Sequence, residues 1–285
     1  MNTLTAKRAR NLTLNVVTWL FVLVNLFPIL WMVWTSIHSN EEILGGVRAM
    51  TLDHLQWGNY LQLWQTINYF GYFKNSLLIC GATTILSTAF AVMAGYALAR
   101  FKFPGSNLFG MSVVSTQMIP GILFLVPIYL LFWQIDKNIG LPMINTYWGM
   151  ILIYTAFYTP MSIWIMRSFF VSVPRDLEES ALIDGCTRFQ AFRKVILPLS
   201  VPGIIATAVY VFLTAWDELM FAWVMTTTSD VQTIPVGIRL YVGQYQNRFD
   251  LLMAAAAVST LPVLLTFFLT QKYFIRGMTA GAVKG

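Results

Sequence analysis

Residues 172–198 of this 285-residue chain read SVPRDLEESALIDGCTRFQAFRKVILP, and the stretch predicts a hairpin of two short helices. Ser172 is a residue type that caps helix N-termini, and Pro174 suits an early helical position because its missing N–H costs little there. Gly185 should end the first helix, since glycine enters the left-handed stop conformation cheaply. Negative charge near the start of this helix stabilises it further, and it comes from Asp176, Glu178 and Glu179.

The second helix of the hairpin is predicted to begin at Thr187. Thr187 and Gln190 have the spacing of a capping box, in which each side chain bonds to the other's backbone N–H. Arg193 and Lys194 place positive charge near the negative end of the helix, and Pro198 is expected to stop it. The apolar residues that recur at helical spacing are Phe189, Phe192, Val195 and Ile196. Either the rest of this chain or a partner protein must cover such a face.

The composition outside the hairpin predicts a membrane protein. The chain is 57% hydrophobic and 11% charged, whereas soluble proteins average roughly 25% charged residues. Its apolar residues fall into runs long enough for the helix of about 20 residues that crosses a bilayer. We therefore predict an all-α protein with six transmembrane helices, at residues 12–37, 73–99, 108–133, 146–169, 199–225 and 251–273.

The distribution of Lys and Arg predicts the orientation of these spans. With the N-terminus in the cytoplasm, 13 of the 18 basic residues fall on the inner side, as the positive-inside rule requires. The net charge of +6 therefore indicates a membrane orientation and no nucleic-acid partner. The predicted parts are a cytoplasmic N-terminus (1–11), a first transmembrane helix (12–37), an extracytoplasmic segment (38–70), a five-helix core with the loop 172–198 (71–273) and a cytoplasmic tail (274–285).

A stripe of small residues predicts that the second span is central in the helix bundle. Ser87, Ala91, Gly95 and Ala99 recur every four residues, which lets a neighbouring helix approach closely. The pattern leaves open whether that neighbour belongs to this chain or to a partner.

Sequence motifs of catalysis and metal binding are missing from the chain. It contains no zinc-type Cys/His cluster, no Gly-Lys-Ser/Thr phosphate loop and no nucleophile elbow, and Cys80 and Cys186 are expected to be free thiols. An ATP-driven role would therefore require a motor from another chain. The alternative is an ion- or proton-coupled secondary carrier, which predicts internal repeats or broken helices near the midplane; the sequence shows no convincing repeat.

The hairpin resembles a known family. Glu179-Ser180-Ala181, Asp184-Gly185, Phe192 and Leu197-Pro198 match the EAA loop of permease subunits of bacterial binding-protein-dependent ABC importers. Ser180 and Cys186 stand where the family commonly has alanine. The resemblance implies a type I ABC importer permease fold, in which this loop is a coupling helix inserted in a cleft of the ATPase subunit. It assigns that coupling role to Glu179, Ser180, Ala181, Asp184, Gly185, Phe189, Phe192 and Pro198.

The resemblance covers nearly the whole chain. It includes Asn75-Ser76, the segment GYALAR at residues 95–100 and the tail GAVKG at residues 281–285. These features look like the carbohydrate branch, and the chain is similar to the smaller permease subunit of maltose-type systems. The implied setting is the bacterial inner membrane and its lipid, with a second homologous permease, a cytoplasmic ATPase dimer and an extracytoplasmic solute-binding protein as partners. ATP and Mg would be bound by the ATPase, with no cofactor or metal on this chain.

Two acidic residues inside the fifth span are candidates for a solute path. Trp216-Asp217-Glu218 resembles the family's Trp-Asn-Glu pattern, with Asp217 replacing Asn. Acids within a span are costly unless they face water, protein or a solute. One interpretation is that the carboxylates accept hydrogen bonds from sugar hydroxyls while Trp216 stacks on a sugar ring. The other is a structural hydrogen-bond network or a site near the membrane surface.

Overall fold

Helices of membrane-spanning length dominate the computed structural model, which describes residues 2–241 and 247–282, with side chains over residues 10–241 and 247–273. Five helical stretches are long and apolar enough to cross a bilayer: Arg10–Ser36, Tyr69–Arg100, Gly121–Ile139, Tyr147–Ser172 and Phe249–Tyr273. A sixth would be the bent pair Arg188–Leu199 and Val201–Trp216, whose axes differ by 71°. The described residues contain no strand, so the all-α prediction is confirmed.

The helices are numbered here in chain order. They are α1 (Asn2–Ser36), α2 (Asn40–Gly45), α3 (Asn59–Thr66), α4 (Tyr69–Arg100), α5 (Ser106–Ser115), α6 (Leu125–Ile139), α7 (Tyr147–Ser172), α8 (Arg175–Ile183), α9 (Arg188–Ala191), α10 (Leu197–Leu199), α11 (Val201–Trp216), α12 (Met220–Met225), α13 (Ile234–Ile238) and α14 (Phe249–Ala282). Helix α14 continues past the predicted end of the last span at residue 273, and residues 283–285 of the predicted tail lie outside the described residues.

The chain divides into two compact units. The first comprises Met1–Tyr69 and Ile238–Thr260. In it, Ser39 and Glu42 form a capping box at the start of α2, and the backbone N–H of Ser39 lowers the pKa of the Glu42 carboxyl. The Asn59 amide donates to the carbonyls of Ser36 and His38, which fixes the segment that follows α1.

The second unit comprises Phe70–Gly237 and Leu261–Gly285, and within it α4 packs closely against α7. A Cβ added at Gly95 would lie 2.9 Å from Cβ of Met166 and 3.0 Å from the backbone N of Arg167. The small-residue stripe that ends at Ala99 is buried, and its neighbour is α7 of the same chain. The structure thus resolves the question that the sequence left open.

The Asn75-Ser76 pair lies at the end of α4 remote from residues 172–198. The Asn75 amide donates to the carbonyl of Gln232 and accepts a 2.6 Å bond from the Tyr147 hydroxyl. The Ser76 hydroxyl accepts from the backbone N–H of Ile234. This pair therefore ties α4 to α7 and to the segment before α13.

The third predicted span, 108–133, is wrong as one continuous helix. Helix α5 ends at Ser115, two short 3₁₀ turns follow, and α6 begins at Leu125. Ile119 is extended, with ψ of 124°, as expected for a residue that precedes a proline. Pro120 also lacks the N–H that a continuous helix would need. The stretch of spanning length is shifted to Gly121–Ile139.

The fifth predicted span, 199–225, is also divided. Helix α11 ends at Trp216, and α12 begins at Met220. At its other end, Ser200 separates α11 from the shorter arm of the bent pair. Gly203 lies so close to the Phe169 ring that an added Cβ would be 2.4 Å from Cγ, which holds α11 tightly against the end of α7.

Candidate functional site

Residues 172–198 form the predicted hairpin, and its turn is built as expected. Gly185 has φ of +87°, in the region that favours glycine. Its N–H donates to the Leu182 carbonyl at 3.1 Å, and the N–H of Cys186 donates to the Ala181 carbonyl at 3.0 Å. This pair of bonds is a Schellman motif, which satisfies the last carbonyls of α8. Gly185 therefore fixes the direction in which the chain leaves the helix.

The start of α8 differs from the prediction. Pro174 occupies the N-cap position with extended backbone, and Ser172 instead donates its hydroxyl to the Phe169 carbonyl within α7. The prediction of Ser172 as the cap is wrong because α7 extends to that residue.

The second helix begins with the capping box that the sequence predicts. The Thr187 N–H donates to the Gln190 side chain at 2.8 Å, and the Gln190 N–H donates to the Thr187 hydroxyl at 3.3 Å. Pro198 does not stop the helix, contrary to the prediction. A π turn at Phe192–Ile196 carries the helix through Pro198, and Ser200 marks the break before α11. Pro198 lies at the start of the short segment Leu197–Leu199 that follows the π turn, and a proline is tolerated in the first turn of a helical segment.

An ion pair that the sequence reading did not single out anchors the hairpin to α4. The Arg100 Nε lies 3.0 Å from Oε2 of Glu178, and both side chains are largely buried. The Tyr96 hydroxyl donates to the other Glu178 oxygen at 2.5 Å. Arg100 also donates to the Val173 carbonyl, and Arg175 donates to the Ala99 carbonyl. The hairpin and the end of α4 are thus joined by a buried polar network.

The two phenylalanines of the hairpin have different surroundings, so this chain covers one part of the predicted apolar face and leaves the other part exposed. Phe192 is half-buried, with its ring centroid 4.5 Å from that of Tyr96. Phe189 is 69% exposed. The difference follows from what covers each ring, since Tyr96 of α4 lies against Phe192.

The exposed part of the hairpin is a mixed apolar and acidic surface. Ile183 is 85% exposed and lies beside Asp184 in the turn. Glu179 and Ser180 are exposed as well, whereas Ala181 is buried against the rest of the chain. We call the exposed residues Glu179, Ser180, Ile183, Asp184 and Phe189 the hairpin tip. Large apolar side chains on a rigidly anchored turn are typical of a protein-binding surface.

The acids of the fifth span lie at its break. Glu218 accepts the Tyr154 hydroxyl at 2.7 Å and the backbone N–H groups of Phe221 and Ala222 at 2.9 and 3.1 Å. Glu218 therefore satisfies the first N–H groups of α12 and joins that helix to α7.

The two residues before Glu218 differ in their exposure. Trp216 is 6% exposed and packs edge-on against Phe73 and parallel to Phe212. Asp217 is exposed. Of the three residues in the predicted solute path, Asp217 is the one whose side chain faces open space in this conformation.

The architecture identifies the fold first. A crystal structure of a bacterial ABC transporter that imports the acidic polysaccharide alginate matches this chain with a TM-score of 0.77, covering 94% of this chain and 98% of that one at 20% identity. The fold is that of a type I ABC importer permease.

Sequence comparison then gives the family. Residues 87–280 match the family of binding-protein-dependent transport system inner membrane components. The trehalose/maltose transport system permease protein MalG of Thermococcus litoralis is 36% identical, over 93% of this chain and 94% of MalG. The diacetylchitobiose uptake system permease protein DasC of Streptomyces coelicolor is 31% identical, over 91% of this chain and 92% of DasC. The chain belongs to this family of transport permease subunits.

Proposed function

We propose that this chain is the membrane-spanning subunit of an ATP-driven importer and that its hairpin tip docks on a separate ATPase. The observation that carries the proposal is a tip with two exposed apolar side chains, Ile183 and Phe189, on a hairpin tied to α4 through Glu178 and Arg100. A surface that transmits force must be free to bind at one end and rigidly held at the other. The hairpin meets both conditions.

The residues assigned to coupling divide into two groups by their place in the hairpin. Glu179, Ser180, Asp184 and Phe189 lie on the exposed surface, where they would contact the ATPase. The others shape or anchor the hairpin: Ala181, Gly185, Phe192 and Pro198. ATP and Mg would be held by the ATPase. Binding of ATP would close the ATPase dimer and move the hairpin as one body with the end of α4, and hydrolysis would reset it.

A carbohydrate is the proposed solute. MalG is named for trehalose and maltose, and DasC for diacetylchitobiose. Membership of a binding-protein-dependent family supports delivery of the solute by an extracytoplasmic binding protein. A second homologous permease would complete the path across the bacterial inner membrane, with both termini of this chain in the cytoplasm, as the positive-inside rule favours.

The contribution of this subunit to the solute path is centred on Asp217. Its carboxylate is exposed beside the break between α11 and α12, where it could accept hydrogen bonds from sugar hydroxyls. Glu218 would have a structural role, because its carboxylate already accepts hydrogen bonds from three donors. Trp216 would support the site from the interior.

The family assignment favours this importer over an ion- or proton-coupled carrier. ATP-dependent accumulation separates the two experimentally. Cells that take up labelled trehalose or maltose through this system should lose uptake when ATP is depleted while the proton gradient is maintained. Uptake that follows the proton gradient and ignores ATP would establish the carrier.

Site-specific cross-linking tests docking directly. Cysteine at Ile183, in a chain where Cys80 and Cys186 are serine, should trap a protein that contains a nucleotide-binding phosphate loop. Leu141→Cys in the same background is the matched control, because Leu141 is exposed but lies in the segment after α6. Failure of Ile183→Cys to trap an ATPase in an assembled complex would overturn the proposal.

A further inference from the structure

A groove of about 520 Å³ lies beside α5 and α7, apart from the hairpin tip and the acids of the fifth span. Its polar wall contains Ser106, Asn107 and Arg167, and its apolar wall includes Met111, Val114 and Trp164. The volume is within the range of about 300–1,000 Å³ typical of small-molecule sites. The groove therefore combines polar side chains with apolar surface.

Arg167 is held in place at the polar wall of the groove. Its backbone N lies 3.0 Å from the position that a Cβ would take on Gly95, so the contact of α7 with α4 fixes the residue. Its guanidinium carbon lies 5.0 Å from the centre of the Trp164 ring, within the range of a cation–π interaction. The first contact fixes the backbone of Arg167, and the second holds its guanidinium beside Trp164, which also lines the groove.

The charge of the groove selects an anion. Arg167 is the one charged side chain among the described residues that line it. Ser106 and Asn107 add a hydroxyl and an amide that can donate hydrogen bonds. A planar guanidinium with nearby neutral donors suits a phosphate group, which accepts bidentate hydrogen bonds from arginine.

The position of Arg167 relative to the membrane surface favours a lipid as the source of that phosphate. Arg167 lies five residues before the end of α7, or about 7.5 Å along the helix axis. That depth is near the boundary between headgroups and acyl chains for a helix that ends at the membrane surface. Met111 is 60% exposed, so the apolar wall opens outward where an acyl chain could lie.

We propose that this groove binds one anionic phospholipid, with its phosphate at Arg167 and an acyl chain along α5. Basic pockets between transmembrane helices on the inner side of a membrane are a known mode of anionic lipid binding. The lipid would fill the space beside the α4–α7 contact, and so it would support the helix whose end carries the hairpin.

Native mass spectrometry of the solubilised full chain tests this proposal, with phosphatidylglycerol and phosphatidylcholine as the added lipids. Wild-type protein should retain phosphatidylglycerol preferentially, and Arg167→Gln should weaken that binding by about fivefold. Lys272→Gln is the matched control: it removes one exposed positive charge on α14 that does not line the groove, and it should leave binding unchanged. Equal loss in both variants would mean general charge attraction and would overturn the site.

A second variant tests the acyl chain without changing charge. Gly110 lines the groove, and nothing lies within 4 Å of an added Cβ there, so Gly110→Leu should fold normally and fill the space. It should reduce phosphatidylglycerol binding. Unchanged binding in this variant, or displacement of the bound lipid by inorganic phosphate, would overturn the lipid assignment.

Cross-linking from the groove distinguishes a lipid from a protein occupant. A photoreactive residue at Met111 should give an adduct with the mass of a phospholipid in the assembled complex. An adduct with another protein subunit would show that a permease helix covers the groove, and it would overturn the proposal.

Discussion

Arg100, the last residue of α4, places its Nε 3.0 Å from the Glu178 carboxylate on the first helix of the hairpin. The pair is buried, and Tyr96 binds the second carboxylate oxygen. An ion pair of this kind stabilises only while both partners remain, because removal of one leaves the other charge buried and uncompensated.

We expect Glu178→Ala to lower the free energy of unfolding by about 3 kcal/mol, since Arg100 would lose its counter-ion. Asp176→Ala is the matched control on the same helix; its side chain is exposed, and its loss should cost less than about 1 kcal/mol. Denaturant titration of the solubilised chain measures both values. Equal effects would contradict the anchoring role of Glu178.

The contact between α4 and α7 predicts opposite outcomes for two glycines of one helix. Gly95→Ala should destabilise the chain by about 1–3 kcal/mol, because its Cβ would overlap Met166. Gly81→Ala should be neutral or stabilise by up to about 1 kcal/mol, because an added Cβ meets nothing within 4 Å and alanine favours the helix. Thermal unfolding of the two variants checks the difference, and a destabilised Gly81→Ala would contradict it.

The Schellman turn predicts a graded series at Gly185. Gly185→Val should cost about 1–2 kcal/mol, because a β-branched residue does not tolerate φ of +87°. Gly185→Asn should cost less, since asparagine enters the left-handed region more readily. If the turn directs the hairpin tip towards an ATPase, valine should also reduce solute uptake per ATP hydrolysed while asparagine largely preserves it. Equal coupling in the two variants would argue against a directing role.

Alanine substitutions of the two hairpin phenylalanines should have different effects, one on binding and the other on stability. Phe189→Ala should leave unfolding unchanged and weaken the interaction with an ATPase, because the ring is exposed. Phe192→Ala should destabilise the chain by about 3–5 kcal/mol at most, since it removes a ring packed on Tyr96. Unfolding and ATPase co-purification, measured on both variants, separate the effects. A loss of stability in Phe189→Ala would contradict the division.

Substitutions of the two acids at the break in the fifth span should also have different effects, one on transport and the other on stability. Asp217→Asn should assemble normally and reduce carbohydrate uptake if its exposed carboxylate meets the solute. Glu218→Ala should destabilise the chain, because the N–H groups of Phe221 and Ala222 lose their acceptor. Transport rates and unfolding midpoints give the two readouts. Parental uptake by a normally assembled Asp217→Asn variant would remove Asp217 from the solute path.

Short-range chemistry made much of the hairpin predictable. The Thr187 and Gln190 capping box and the stop at Gly185 depend on residues within one turn of each other, so the sequence contains all the information they need. The apolar runs likewise predicted spans of nearly the right number and place. Pro120 is a helix-breaking residue within the third predicted span. Hydrophobicity alone could not show that the helix is interrupted there.

The features that sequence reading missed depend on long-range contacts. Glu178 appeared only as a charge near a helix start, because its partners Arg100 and Tyr96 are distant in sequence. The basic and aromatic residues of the segment 95–100, which ends α4, were a signal that could have suggested an acidic partner on the hairpin. The separate surroundings of Phe189 and Phe192 depend on where α4 packs against the hairpin, because the Tyr96 ring lies against Phe192 while Phe189 stays exposed. Helical periodicity within the hairpin cannot show this contact.

The bend at Ser200 would change the direction in which a force on the hairpin acts on α11. With 71° between its arms, a thrust along Arg188–Leu199 reaches α11 mostly across that helix's axis rather than along it. The close fit of Gly203 against Phe169 prevents α11 from sliding independently of α7. A displacement of α11 at the bend would therefore also move α7. It would extend to the hydrogen bond between Tyr154 and Glu218, near the opposite ends of these two helices.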